Sequence, residues 1–227
     1  MTYKITAFSL SDSYKYGNIL EQMLRLRYKG FIVEEKYEVC NYSGLEFDQY
    51  DNPYAKYLLI LKGDQAIACA RLNRTDFAYN IGGVGVSYMA KDLWGKQIPG
   101  NYLLNNSNTY ELTRLYVCSS LEAKERAAVT RLIVGALYVY SVSVEVSKWL
   151  FVTHQSLLNV ASKLGMTIPF AINIDVPNFL NQKFACVDVQ HENLDLIMNN
   201  VHITTKPDLV RFFDEHNIVT EDEPKVA

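Results

Sequence analysis

Apolar positions recur along this chain with two periods, and the switches between them outline its elements. Ile19, Leu20, Met23 and Leu24 return at helical steps, which predicts a helix capped at Ser13 and running to about Lys29. From Phe31 to Asn52 the period is lost in an acidic, tyrosine-rich stretch that closes on an Asn52-Pro53 turn. That is a long loop, and loops of such length tend to be functional. Strands are expected over 57–61 and 66–72, joined across Lys62-Gly63-Asp64-Gln65 as an antiparallel hairpin. Residues 80–86, NIGGVGV, read as a glycine-rich loop followed by one or two helical turns over 87–94. With neither a strand before it nor a long helix after it, this loop does not read as a phosphate cradle.

Further along, a strand over 109–118 leads to a helix over 121–143, a strand over 149–153, a helix over 157–164 and strands over 168–174 and 184–189. Short helices are expected near Asn193 and Asp208, and the tail TEDEPKVA, 220–227, is expected to fray. No repeat or linker interrupts the pattern, so residues 1–219 are expected to form a single domain. The alternation predicts an α/β (α+β) fold with a mixed central sheet flanked by helices on both faces.

Composition narrows the function classes. Of 227 residues, 49% are hydrophobic, enough for a sizeable core and too many for a disordered chain. The 22 Lys and Arg against 25 Asp and Glu give a net charge of −3, without the basic excess of a nucleic-acid binder. The first residues lack a basic start and an apolar run, so no secretory signal is expected and the mature chain is expected to begin at Met1. The longest uncharged stretch, 132–144, is broken by Gly135 and Ser141 and falls short of the ~20 residues that cross a bilayer. Cys40, Cys69, Cys118 and Cys186 are scattered singly and are expected to be buried thiols of a reducing cytoplasm. His154, His191, His202 and His216 are equally dispersed, so no metal is expected.

Charges that interrupt apolar patterns carry the chemical information, because burying an unpaired charge is costly. Arg27 lies on the apolar stripe of the first helix, and Arg71 is in phase with Ile67 and Cys69 on a strand. Glu111 and Arg114 stand among Leu112, Leu115 and Val117. Their odd spacing sends them to opposite strand faces unless a bulge intervenes. The long loop adds Glu46, Asp48 and Asp51, which repel one another unless arginines or a cationic ligand lie between them. By spacing alone this set reads first as an ion-pair network stapling the loop to the sheet. A charged binding site is the competing reading. Phe31, Tyr37 and Trp94 accompany the charges, and ring faces are suited to hold a sulfonium or ammonium group.

The ordered set resembles the acyl-homoserine-lactone synthases, the LuxI-type autoinducer synthases. The resemblance runs through Arg27-x-x-x-Phe31, Tyr37, Glu46-x-Asp48-x-Tyr50-Asp51, Ala70-Arg71-Leu72 with Thr75, Tyr88-Met89 with Trp94, Tyr110-Glu111-Leu112-Thr113-Arg114, and Val152-Thr153 followed by 158–166. It covers roughly residues 1–175. It implies a fold related to the GNAT acyltransferases, and transfer of an acyl chain from acyl carrier protein to the amine of S-adenosylmethionine, with lactone closure and release of methylthioadenosine. S-adenosylmethionine is then a substrate, no separate cofactor is implied, and the location is the bacterial cytoplasm.

Physical chemistry assigns roles within that resemblance. The amine must be neutral to attack, and Glu111 is the first candidate for the base, directly or through water. Arg27 or Arg114 suits the substrate carboxylate, and Asp48 and Asp51 suit its two cations. Phe31, Tyr37 and Trp94 surround the sulfonium, while Arg71 spaces the carboxylates. Backbone N–H groups at a splayed strand pair would stabilise the thioester oxyanion. Thr153 matches a position beside the acyl chain. The segment Ser119-Ser120-Leu121-Glu122-Ala123 lacks the glycines that bind a pyrophosphate, which favours carrier protein over coenzyme A, with Lys124, Arg126, Arg131, Lys148 and Lys163 as candidate docking cations. The family usually has Trp at the position of Tyr37 and Phe at that of Trp94, so the adenosyl pocket is expected to be reshaped. Two rival readings are a GNAT-like N-acyltransferase with another amine acceptor, and a non-catalytic ligand-binding descendant of the same fold.

Overall fold

Strand pairing brings the two ends of the sequence pattern into one sheet. The computed structural model describes residues 3–201; Met1, Thr2 and residues 202–227 lie outside, and with them the helix expected near Asp208 and the tail over 220–227. The chain runs β1 (Tyr3–Ser9), a 3-10 segment (Leu10–Tyr16), α1 (Ile19–Arg27) continuing into a π-helical segment (Tyr28–Glu34), and a small hairpin of β2 (Asn41–Tyr42) and β3 (Leu45–Glu46). Then come β4 (Lys56–Lys62), β5 (Gln65–Arg74), a second small hairpin of β6 (Tyr79–Ile81) and β7 (Val84–Val86), α2 (Met89–Trp94) and β8 (Thr109–Val117). The rest is α3 (Ala123–Ser143), β9 (Lys148–His154), α4 (Gln155–Lys163), β10 (Thr167–Asn173), β11 (Gln182–Asp188) and α5 (Leu194–Asn200).

Seven strands form the main sheet in the order β1-β4-β5-β8-β9-β11-β10. Every neighbouring pair is antiparallel except β8 and β9, whose parallel pairing requires the long crossover that α3 supplies. That parallel ladder ends at Glu111 opposite Leu150, so β8 and β9 separate beyond it. The expectation of a mixed sheet flanked by helices holds. α1 packs on β5 and β8, α3 on β4, β5 and β8, and α4 on β9 and β10.

The uncharged stretch over 132–144 is explained by burial on more than one side. Residues from Ile133 to Ser141 of α3 are buried, because α5 covers the helix beyond its contact with the sheet. Gly135 sits where a Cβ would meet the Val201 side chain at 2.6 Å. No helix among the described residues is long and apolar enough to cross a membrane.

Several boundaries depart from the expectations above. The first helix starts at Ile19 rather than Ser13, because Gly17 adopts φ 58° and separates it from the 3-10 segment. The expected loop over 31–52 begins as π-helical backbone and includes the β2–β3 hairpin, which turns on Ser43 and Gly44 at positive φ. The glycine-rich loop is itself a hairpin, with Gly82 and Gly83 both at positive φ between paired strands. β1 was not expected. Its buried side chains pair with β4 across seven residues at the sheet edge. Cys69, Cys118 and Cys186 are buried, but Cys40 is exposed, because it lies on the irregular segment before β2 rather than in either core.

The π-helical segment is held against β8 through Gly30. A side-chain carbon at Gly30 would overlap the Tyr116 ring, and that ring is fixed by its hydroxyl donating to Glu34 at 2.7 Å. Gly30→Ala should therefore lose about 1–3 kcal/mol, lowering Tm by several degrees. An unchanged melting temperature would mean that the two elements shift apart without cost.

Candidate active site

Three arginines from three elements converge on three carboxylates from one loop. Arg27 closes α1, Arg71 lies on β5, and Arg114 lies on β8; Glu46 ends β3, with Asp48 and Asp51 just after it. Arg27 donates from Nε to Glu46 at 2.5 Å and from both Nη atoms to Asp51 at 2.7 and 2.8 Å. Arg71 reaches Asp48 at 2.6 Å and Asp51 at 2.9 Å, and its Nε donates to the Thr113 hydroxyl at 3.0 Å. Arg114 bridges Glu46 at 3.0 Å and Asp48 at 2.6 Å. The Tyr57 hydroxyl and the Asp48 backbone N–H both add bonds to Asp51 at 2.8 Å.

Burial makes this closure necessary. The exposed fractions are 1% for Arg27, 0% for Arg71 and 0% for Glu46, so none has water to replace a lost partner. Burial alone would raise the Asp51 and Asp48 carboxyls. The guanidinia of Arg71 and Arg27 reverse this at Asp51, and those of Arg71 and Arg114 at Asp48, holding both below the ordinary 3.8. The set sums to zero charge and staples the loop to the sheet, as the structural reading of the spacing anticipated.

The parity of Glu111 and Arg114 is resolved by a bulge. Arg71 faces Thr113 and Cys69 faces Tyr116, so Arg114 and Leu115 together stand opposite Ala70. Arg114 takes φ 54°, a left-handed conformation uncommon for a residue with a side chain. The guanidinium is thereby turned to Glu46 and Asp48 and lies 5.3 Å from the Phe31 ring. Beyond Glu111 the backbone of β8 has no partner on the β9 side, which leaves N–H groups on that edge open to a ligand.

A cavity of about 550 Å³ opens at this splay, a volume suited to a small-molecule ligand. Phe31, Tyr37, Trp94, Asp48, Arg114 and Thr153 all line it. Arg27, Asp51, Arg71 and Glu111 do not; they stand behind its wall. Phe31 meets Tyr37 edge-on at 6.0 Å. The wall also includes Met89, His154, Phe179 and Gln182, which sequence reasoning had not singled out as site residues. Met89 was visible as part of Tyr88-Met89. Phe179 carried no signal, since it lies in a stretch without a motif.

Glu111 joins the site to α2. One carboxylate oxygen accepts the Met89 backbone N–H at 2.8 Å and the other accepts that of Ala90 at 2.5 Å, so the side chain closes the start of that helix. Burial pushes its carboxyl up to about 7, although the two N–H bonds pull the other way. No group of three or more His, Cys, Asp or Glu side chains suited to a metal occurs among the described residues.

Removing one member of the charge set leaves a buried partner uncompensated. Asp51→Asn should cost about 3–5 kcal/mol, read from the denaturation midpoint at neutral pH. The pH dependence has a definite sign. Asp48 and Asp51 titrate below the ordinary 3.8 in the fold, so they stabilise it fully above that value and lose this contribution progressively as pH falls from there to their lower folded values. Glu111 is opposite: between the ordinary 4.5 and about 7 the folded form holds the extra proton, and stability falls as pH rises through that window. Asp51→Asn should flatten the acid limb of a Tm-versus-pH curve, and Glu111→Gln the decline towards neutrality. Unchanged limbs would contradict these assignments.

The family model described as autoinducer synthase matches residues 11–189. The acyl-homoserine-lactone synthase of Pectobacterium parmentieri is 37% identical over 71 residues, 31% of this chain and 33% of that protein, so the match spans about a third of that relative. Among solved structures, BjaI, a CoA-dependent acyl-homoserine lactone synthase with MTA, has a TM-score of 0.73 at 19% identity, covering 90% of this chain and 92% of its own. The AHL synthase LasI gives 0.73 at 17% identity, covering 87% and 95%. At these identities the structural likeness is one of fold. The family match extends past the resemblance first noticed over 1–175, through β11, and together with the shared fold it makes this chain a member of the autoinducer synthase family.

Proposed function

We propose that this chain makes an acyl-homoserine lactone from S-adenosylmethionine and an acyl thioester. The observation that carries the reading is one cavity combining three aromatic rings, Phe31, Tyr37 and Trp94, with a polar edge of Asp48 and Arg114, beside the unpaired edge of β8. In this reaction the neutral α-amine attacks the thioester carbonyl carbon. A C–N bond forms, the C–S bond breaks, and the thiol leaves while the amine gives up a proton. A carboxylate oxygen of the substrate then attacks its γ-carbon, the bond to the sulfonium sulfur breaks, and methylthioadenosine departs.

Each wall element suits one part of that chemistry. The ring faces stabilise the sulfonium, and Asp48 stands at the cationic side. Arg114 serves the substrate carboxylate through Nη1, which among the described residues meets only a weak acceptor, the Met89 thioether at 3.6 Å. The open N–H groups of β8 suit the thioester oxyanion, and Thr153 borders the acyl chain. Arg27, Arg71 and Asp51 act through the loop they hold rather than by touching substrate. Glu111 accepts the amine proton through an intervening water, since it stands behind the wall between Leu112 and Met89, and a carboxyl near 7 is matched to that task.

Acyl carrier protein is the proposed donor, although BjaI is CoA-dependent. Glu122 occupies the N-cap of α3, and no glycine in 119–123 lets the backbone approach a diphosphate there. Of the candidate docking cations, Lys148 is engaged by Asp188, which leaves Lys124, Arg126, Arg131 and Lys163.

Purified protein mixed with S-adenosylmethionine and a panel of carrier-protein and CoA thioesters should yield methylthioadenosine and acyl lactone in equal amounts, with carrier thioesters preferred. An acyl amide without methylthioadenosine would favour another amine acceptor, and no product from any donor would favour a binding protein. Glu111→Gln should lower turnover by about 10²-fold or more, far beyond any loss of S-adenosylmethionine affinity from the one α2 bond it forfeits, and the rise in rate through pH 7 should vanish. If Glu111 serves only to close the start of α2, affinity falls along with turnover and the pH limb stays.

A further inference from the structure

Two irregular segments from opposite ends of the chain meet across the cavity through one ring stack. Tyr37 and Phe179 lie 3.9 Å apart between centroids at 10°, and both line the cavity. Tyr37 belongs to the segment between the π-helical backbone and β2, which has no place in the main sheet. Its anchors are the Tyr37 N–H to the Phe31 carbonyl at 2.8 Å and the Glu35 N–H to the Gly30 carbonyl at 2.9 Å. Phe179 sits on a tight turn before β11, closed by its N–H to the Val176 carbonyl at 3.0 Å, with Asn178 and Asn181 at positive φ. That turn is tied towards α2 by two bonds between Gln97 and the Asp175 backbone, at 2.7 and 3.0 Å.

We propose that Phe179 is a positioning residue for the adenosyl substrate: by stacking on Tyr37 it clasps the 35–40 segment over the cavity. Phe179 also packs on the smaller apolar cluster, as Trp94 does, so the clasp ties the 35–40 segment to the cluster that supports Trp94. At 3.9 Å no third ring fits between the pair, so the substrate lies beneath the stack rather than within it. The clasp rests on the proposed use of S-adenosylmethionine only for what it serves, not for its existence.

The test separates the two. Amide hydrogen exchange over residues 35–40 in the ligand-free protein, and S-adenosylmethionine binding by calorimetry, are measured for wild type and for Phe179→Ala, Phe179→Leu and Phe179→Tyr. Loss of the stack should speed exchange over 35–40 by about two- to tenfold and weaken S-adenosylmethionine binding by a similar factor in the Ala and Leu variants. Phe179→Tyr should restore both. The Leu variant keeps apolar bulk if the Ala variant fails to fold. Unchanged exchange in the Ala and Leu variants would overturn the clasp, and faster exchange with unchanged affinity would overturn its service to the substrate. Wild-type protein that never binds S-adenosylmethionine would count against the functional reading, while the exchange measurement still decides the clasp.

Discussion

A guanidinium taken out of water must meet a carboxylate, and in this fold that requirement is met three times in one place. Arg27 and Arg71 have no exposed alternative to the acidic loop, Arg114 joins them from the cavity edge, and each of Glu46, Asp48 and Asp51 is held by two arginines. The attraction between the sets is strengthened by the low dielectric that makes their separation so costly. One consequence is geometric: an acidic loop with almost no regular structure of its own is fixed against α1, β5 and β8. A second is chemical. With six charges spent on one another, the cavity beside them is walled by rings and touched by only the Asp48 and Arg114 edge of the set.

The bulge in β8 follows from the same constraint. To reach both Glu46 and Asp48, the Arg114 side chain must leave the strand's alternation, and the left-handed backbone at Arg114 accomplishes this. Strain of that kind costs of the order of 1–3 kcal/mol and persists only where surroundings enforce it. Just before the bulge, Glu111 marks the last residue of β8 paired with β9 and also closes the start of α2. The opening of the sheet and the helix bearing Trp94 are therefore set by adjacent residues of one strand.

Much of this was legible from residue order because the signals were local. Alternation and turn chemistry located β4, β5 and the long crossover helix to within a few residues, and buried charges on apolar faces named Arg27, Arg71 and Arg114 as partners of the acidic loop. What sequence spacing left open was which charges face the cavity. Arg27 and Asp51 looked suited to substrate ions, yet their mutual pairing takes them off the cavity wall, a result that depends on three-dimensional closure. β1 escaped notice because a short edge strand is specified by its pairing with β4 more than by its own pattern. Phe179 escaped because stacking between residues 37 and 179 leaves no periodic trace.

The central claim is that the arginines and carboxylates form a closed scaffold and that the rings, with the Asp48 and Arg114 edge, meet the substrate. A crystal structure with S-adenosylmethionine bound tests it most directly, through the separation of Arg27 Nη1 from Asp51 Oδ1. The account predicts that this pair stays near its present 2.7 Å while the sulfonium lies among Phe31, Tyr37 and Trp94. An ammonium or sulfonium inserted between Arg27 and Asp51, with that pair broken, would contradict it.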